Sequence, residues 1–175
     1  GNIDKYIKEN CSDLTNSEKN WLKKKLNKYI ELFDGTLGKW NREPVKLQLR
    51  PNAKLGSSRP FSVPHFHAET LKKEVQRLCD IGVLRRNPTA RYSSPSFIIP
   101  KKDRSVRFIS DFRKLNKELE RAPFPTPKIK DLLQSLAGFK WASAIDLNMG
   151  YYHIELDPFA QELCTIVFPW GKYSY

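Results

Sequence analysis

Three cations, Lys101, Lys102 and Arg107, lie on or between two short β-rich runs, Phe97-Ile98-Ile99 and Val106-Arg107-Phe108-Ile109. The runs predict a hairpin, on which these side chains can close over a triphosphate and neutralise its charge. Further along, Asp146 ends a predicted strand from Lys140 to Leu147. Its alternation sets Trp141, Ser143 and Ile145 on one side, and Ala142, Ala144 and Asp146 on the other. The small alanines leave room beside the carboxylate, and a carboxylate fixed by a sheet can hold Mg²⁺. An aspartate at a strand end more often forms a turn or caps a helix, so both readings stand at this point. Met149 and Gly150 follow, and their backbone amides could face a triphosphate, Gly150 permitting close approach.

Asp111 and Arg113 stand two residues apart in the last of these strands, which puts them on one face. Such a pair is a stabilising ion pair or a brace for an arginine that meets a ligand. His65 and His67 have metal-like spacing without a third ligand, and the prolines around them suggest an extended surface segment. Cys11, Cys79 and Cys164 are odd in number and far apart, so they spell neither a disulfide framework nor a CxxC zinc site. Three buried or half-buried free thiols are expected.

Charge adds a partner class. The net charge is +12, distributed as +6 over residues 1–83, +9 over 84–140 and −3 over 141–175. A basic middle followed by an acidic stretch suits a surface that holds a polyanion beside metal-binding carboxylates, though a generically basic surface has the same composition. With 39% hydrophobic and 12% aromatic residues the chain has the material for a core, which argues against wholesale disorder. No run of about 18 apolar residues and no signal-peptide pattern occurs. The expectation is a soluble, intracellular protein without a membrane partner.

The elements that must hold these residues are legible in outline. Thr15-Asn16-Ser17-Glu18 has capping-box spacing, and Trp21, Leu22, Leu26, Tyr29, Ile30 and Phe33 follow at helical intervals up to a stop at Gly35. Residues 36–64 read as extended chain, with Val45, Leu47 and Leu49 alternating among Pro44, Pro51, Pro60 and Pro64. Leu71, Val75, Leu78 and Ile81 write a second amphipathic helix, ended by Gly82. Short strands follow from Val83-Leu84 onward, and Pro123, Pro125 and Pro127 make a stiff bridge. A helix is predicted from Lys128 to Leu136, with Ile129, Leu132, Leu133 and Leu136 on one face. Strands around His153–Leu156 and Cys164–Phe168 bracket a short helix begun at Pro158, and Lys172–Tyr175 reads as a further strand. The predicted divisions are 1–40, a helical lead-in; 41–138, containing the hairpin; and 139–175, beginning with the strand of Asp146.

Three stretches in register carry a family resemblance: Phe97-Ile-Ile-Pro-Lys-Lys-Asp103, Val106-Arg-Phe-Ile-Ser-Asp-Phe-Arg-Lys-Leu-Asn116, and Ala144-Ile-Asp-Leu-Asn-Met-Gly-Tyr-Tyr-His-Ile154. Together they resemble the fingers and first palm motif of a gypsy-type long-terminal-repeat retrotransposon reverse transcriptase. Ala122–Pro127, Phe168–Tyr173 and Leu32–Gly38 fit the same group, so that the likeness covers about residues 30–175. The resemblance implies an α/β (α+β) chain, with a reverse-transcriptase fingers subdomain leaning on an incomplete antiparallel palm sheet of a right-hand polymerase. In that family the aspartate matching Asp146 binds two Mg²⁺ ions (Mn²⁺ as a substitute), with the next carbonyl, from Leu147, as a further ligand. Arg107 and Lys101, or Lys102 in place of Lys101, then hold the phosphates of the incoming deoxynucleoside triphosphate. Tyr151 resembles the steric gate, whose ring leaves no room for a 2′-hydroxyl. Arg113 supports the templating nucleotide with Asp111 bracing it, and Ser93, Ser94 and Pro95 lie where the fingers follow the template.

These resemblances imply a fragment of an RNA-directed DNA polymerase acting on primer–template nucleic acid, in the cytoplasm or a virus-like particle. The family's Tyr-x-Asp-Asp hairpin and Leu-Pro-x-Gly segment do not occur in these 175 residues. The chain by itself is therefore expected not to polymerise without the rest of the palm, the thumb and the ribonuclease H domain. Exposed apolar surface and self-association are expected with it. The alternative reading is a non-catalytic nucleic-acid-binding remnant of such a polymerase.

Overall fold

Thr15 closes the start of a helix in both directions. Its hydroxyl accepts the Glu18 N–H and its own N–H donates to the Glu18 carboxylate, satisfying two helix-end donors. In the computed structural model, which describes residues 2–100, 106–136, 138–140 and 142–175, this helix is α2, Asn16–Lys28, preceded by α1, Ile3–Asn10. The spacing predicts helix to Phe33, but Tyr29 leaves helical geometry and Ile30–Phe33 form a 3₁₀ turn before Gly35 at φ 85°. No residue of α2 is buried, and Trp21, Tyr29, Ile30 and Phe33 are exposed. Side chains so exposed bury little apolar surface, and burial rather than propensity is what usually holds the last turns in α geometry.

The chain divides into two units, Gly1–Trp40 with Leu147–His153, and Asn41–Asp146 with Ile154–Tyr175. In the first unit α1 packs on α2 around the buried Ile7. Gly150–His153 is a 3₁₀ turn where alternation predicts the start of a strand. The Trp40 N–H donates to the His153 carbonyl at 2.9 Å.

In the second unit, α3 runs His65–Asp80 behind Pro64, whose ring blocks extension backwards. His65 and His67 therefore stand on the first helical turn, and the expectation of an extended segment is corrected. The apolar period marks only turns that bury a face; Leu71, Val75 and Leu78 are buried, but Phe66 is 85% exposed. Gly82 ends the helix at φ 78°, a left-handed position that glycine adopts without strain.

Five strands make one sheet in the order β1-β5-β4-β2-β3: β1 Arg85–Arg86, β2 Ser94–Pro100, β3 Val106–Ser110, β4 Thr165–Phe168 and β5 Gly171–Ser174. The α/β class stands, and the sheet is mixed: β2 and β4 pair in parallel through Ser94↔Ile166 and Pro95↔Val167, and the other pairs are antiparallel. Between β4 and β5, Pro169-Trp170 turn the chain, and Trp170 stacks on Phe168 with ring centroids 5.1 Å apart. Phe108 and Tyr173 meet Phe168 edge-on. Phe168, with Leu71, Val75, Leu78, Val106, Leu163 and Ile166, is buried in the core, and the half-buried Phe108, Trp170 and Tyr173 rings pack at its edge.

Two expected strands, Lys140–Leu147 and the one around His153–Leu156, form no ladder among the described residues, whereas 36–64 is extended as expected. Residues 142–147 join none of the five strands and lie exposed, so the alternation that points to a strand here has no hydrogen-bonding neighbour among the described residues to make it a ladder. Over 41–64, Val45, Leu49 and Ser57 make single bridges to Leu156, Leu119 and Ser93, and the prolines withhold the donors a ladder needs. The remaining helices are α4 Arg113–Glu118, α5 Ile129–Ser135 and α6 Pro158–Leu163. Asp157 caps α6 by accepting the Ala160 N–H at 2.7 Å.

Candidate nucleic-acid interface

The β2–β3 pair positions most of the expected site in the second unit. Its register runs from Ser96↔Ser110 to Ile99↔Arg107 and Pro100↔Val106. Arg107 is exposed on the Pro100 end of this pair. Lys101 and Lys102, expected beside it, lie outside the described residues.

At the other end four expected residues come together. The Pro95 carbonyl accepts the Asp111 N–H at 2.9 Å, so the start of β2 and the end of β3 are tied where the chain turns into α4. Arg113 donates from Nε to Asp111 Oδ1 at 2.8 Å and from Nη2 to Oδ2 at 2.7 Å. The Arg113 N–H also donates to Oδ1, at 3.2 Å. These hydrogen bonds hold the Asp111 carboxyl well below the usual carboxylate range, at about 2, and raise the Arg113 guanidinium. The expectation of one strand face is corrected: Phe112, at φ −84° and ψ 13°, leaves extended geometry, and Arg113 opens a helix. The two side chains meet because the carboxylate folds over its own backbone two residues on, a local turn that needs no strand alternation.

Ser93, Ser94 and Pro95 are buried. Ser94 reaches solvent through a pocket of about 250 Å³ that is also lined by Lys54, Ser57, Tyr92 and Lys114. Within it Ser57 and Ser93 share a hydrogen bond of 2.6 Å between their hydroxyls. Neither Lys54 nor Ser57 is marked by sequence pattern, because both lie in a stretch without periodicity. Lys114, beside Arg113, is the one member that the basic run around the motif signals.

Asp146 belongs to the second unit and is exposed. Among the described residues no three His, Cys, Asp or Glu side chains gather to hold a metal ion. Leu147, Met149, Gly150 and Tyr151 belong to the first unit. The Leu147 carbonyl accepts the Gly150 N–H at 3.3 Å, and Met149 sits at φ 53° in the tight turn this makes. A Cβ on Gly150 would come within 3.2 Å of the Leu147 Cβ, so a side chain there needs Leu147 to shift by a few tenths of an ångström, and glycine fits without that shift. Tyr151 follows with 90% of its surface open, free of core packing.

The fold is one already seen in retroviral polymerases. Over the whole chain it superposes on the foamy viral protease-reverse transcriptase in complex with an RNA/DNA hybrid with a TM-score of 0.85 and 21% identity, covering 24% of that chain. The native prototype foamy virus protease-reverse transcriptase gives a TM-score of 0.82 at 18% identity, again with all of this chain and 24% of the other.

The sequence narrows this further, to homologues among the retrovirus-related Pol polyproteins of transposons. The polyprotein of transposon 412 from Drosophila melanogaster is 26% identical over 97% of this chain and 14% of its own length. That of transposon gypsy, from the same fly, is 30% identical over 62% of the chain and 11% of its length. The uncharacterized protein K02A2.6 of Caenorhabditis elegans is 31% identical over 85% and 12% respectively. The chain thus spans 14% or less of the length of these relatives. No protein-family model matches it. No helix among the described residues is long and apolar enough to cross a membrane.

Proposed function

We propose that this chain forms the fingers and the entry to the palm of an RNA-directed DNA polymerase, and that its work is to hold the template and the incoming deoxynucleotide. The observation that carries the reading is the Asp111–Arg113 clamp. A carboxylate only 13% exposed presents a guanidinium that is 84% exposed, at the end of the β2–β3 pair. A fixed, always-charged fork is suited to a phosphodiester backbone or a base edge. Relatives of this shape include a foamy viral protease-reverse transcriptase solved with double-stranded DNA and with an RNA/DNA hybrid, which supports a primer–template as ligand.

In this reading Arg107, exposed on the hairpin, neutralises the triphosphate together with Lys101 or Lys102. Tyr151 lies beneath the sugar and excludes a 2′-hydroxyl by its bulk, and Met149 and Gly150 form the turn that carries it. The buried Ser94 and Pro95 fix the strand that mounts the arginine. Asp146 and the Leu147 carbonyl are hard oxygen donors of the kind Mg²⁺ takes, and Mn²⁺ accepts the same set. When bound, such ions neutralise the triphosphate and favour attack by the primer hydroxyl. Mg²⁺ is commonly held by one or two carboxylates plus substrate phosphates, so these donors fit as part of a set completed by other segments of the polymerase.

The test is binding of a labelled RNA/DNA primer–template to the 175-residue chain over a salt series. Affinity should fall steeply with salt as phosphate contacts release counterions, and Arg113→Ala should weaken it. Binding that is absent, or indifferent to salt and to Arg113→Ala, overturns the reading. Templated primer extension by the chain alone is not expected, and its appearance would also count against this division of labour.

A further inference from the structure

The outward face of α2 carries a pattern that the fingers do not use. Trp21 is 62% exposed near the middle of the helix. At 3.6 residues per turn, Lys24, Lys25 and Lys28 fall on the Trp21 side, and Leu22 and Leu26, both half-buried, lie away from it. Tyr29, at the C-terminal cap, extends the same face with 52% of its surface open. The Lys25 ammonium stands 5.5 Å from the Trp21 ring centroid, and that of Lys28 stands 5.5 Å from the Tyr29 ring.

The acids of this unit form no ion pair with the three lysines of this face among the described residues. Asp4 pairs with Lys23 at 2.7 Å, off this face, and Glu9 with Lys5 at 3.9 Å. Glu18, one helical turn before Trp21, hydrogen-bonds Thr15 in the capping box and pairs with none of these lysines. Lys24, Lys25 and Lys28 have no carboxylate partner among the described residues.

We infer that this face binds single-stranded nucleic acid, through residues other than those of the proposed template surface. Three ammonium groups within two helical turns can meet phosphates of one strand, and the exposed rings that bracket them, Trp21 before and Tyr29 after, offer stacking surfaces for bases. A membrane-lying helix needs a continuous apolar face. On α2 the exposed tryptophan is flanked by lysines, and the leucines are turned away. An acidic peptide would satisfy the lysines and leave the rings without a role. Nucleic acid uses both.

The test is fluorescence anisotropy of a labelled oligodeoxythymidine of ~10 nucleotides, a length within known single-strand site sizes, with the 175-residue chain. Trp21→Ala should weaken binding about tenfold, and Trp21→Phe should restore most of the loss. The triple variant Lys24→Ala, Lys25→Ala, Lys28→Ala should lower the log–log salt slope by about 2. All these substitutions fall at exposed helix positions, and circular dichroism should show the helix retained. Both effects should persist in an Arg113→Ala background, which separates this face from the template clamp. Oligonucleotide binding unchanged in both Trp21→Ala and the triple variant overturns the inference. So does equal competition by polyglutamate, or tighter binding to phosphatidylserine vesicles that Trp21→Ala abolishes.

Discussion

Asp111 grips Arg113 through two parallel hydrogen bonds of 2.8 and 2.7 Å, with the carboxylate largely enclosed and the guanidinium open to solvent. The aspartate is the mount and the arginine the presented group. Asp111→Asn keeps the shape and removes the charge-assisted fork, so the arginine is released to its own rotamers. Primer–template affinity should then drop toward that of Arg113→Ala, although residue 111 need not touch the ligand. Titration of both variants and their double mutant checks this: the two losses should fail to add, as expected for groups acting as one unit.

The same pair sets an acid limit. Arg113 holds the Asp111 carboxyl at about 2, below its ordinary 3.8. Between those values the unfolded chain binds more protons than the folded one, so stability rises with rising pH there. The contribution is complete above pH 3.8 and lost as pH falls through about 2. Thermal unfolding midpoints of the parent should decline more steeply across this window than those of Asp111→Asn.

Buried hydroxyls of the sheet should respond in opposite senses. Ser96 Oγ is enclosed without a hydrogen-bond partner among the described residues. Ser96→Ala removes an unsatisfied group and should raise stability by about 1 kcal/mol. Ser174 shares a 2.7 Å hydrogen bond with Thr165 and accepts from Asn87 Nδ2 at 3.0 Å. Ser174→Ala should lower stability by about 1–2 kcal/mol by leaving those partners unmet. Urea unfolding of the two variants side by side checks both signs.

Burial pushes the Cys164 thiol up to about 11, from an ordinary 9.0. At pH 8 its thiolate fraction is then about a hundredfold below that of a free thiol. Reaction of Cys164 with a disulfide reagent should be slow in the native chain and accelerate at least to that extent in urea. Mass spectrometry of the labelled peptides distinguishes it from Cys11 and Cys79.

The apolar face expected on α5 is present but uncovered. Ile129, Leu132, Leu133 and Leu136 are all exposed, with Phe139 and Ile145 close by in sequence. Such a run predicts concentration-dependent association. Sedimentation velocity should show it, and Leu132→Glu with Leu133→Glu should shift the chain toward monomer. A parent that stays monomeric at all concentrations removes the expectation.

The candidate site is legible in sequence to the extent that its chemistry is local. Asp111 and Arg113 are two residues apart, and a carboxylate at the entry to a helix reaches that distance without help. Gly150 is marked by sequence, and the reason for it, the close contact with Leu147 three residues back, is likewise local to the turn. Alternation alone makes Asp146 the end of a strand, and alternation is blind to whether a neighbour exists. Lys54, at the rim of the Ser94 pocket, carries no sequence signal because it comes from a distant, aperiodic segment.

By itself the sequence determined the Thr15–Glu18 capping box, the start of α6 at Asp157-Pro158, the stop at Gly82, the β2–β3 runs and the family likeness. Each depends on residues within a few positions of one another, or on motifs in register. Only the tertiary structure decided that Ser94 and Pro95 pair in parallel with Ile166 and Val167, making the sheet mixed. It also decided that 142–147 finds no strand to join, and that Trp21 faces outward. Those outcomes turn on which distant segments compete for each hydrogen-bonding edge and apolar face. That competition is settled by packing across the chain, not by local pattern.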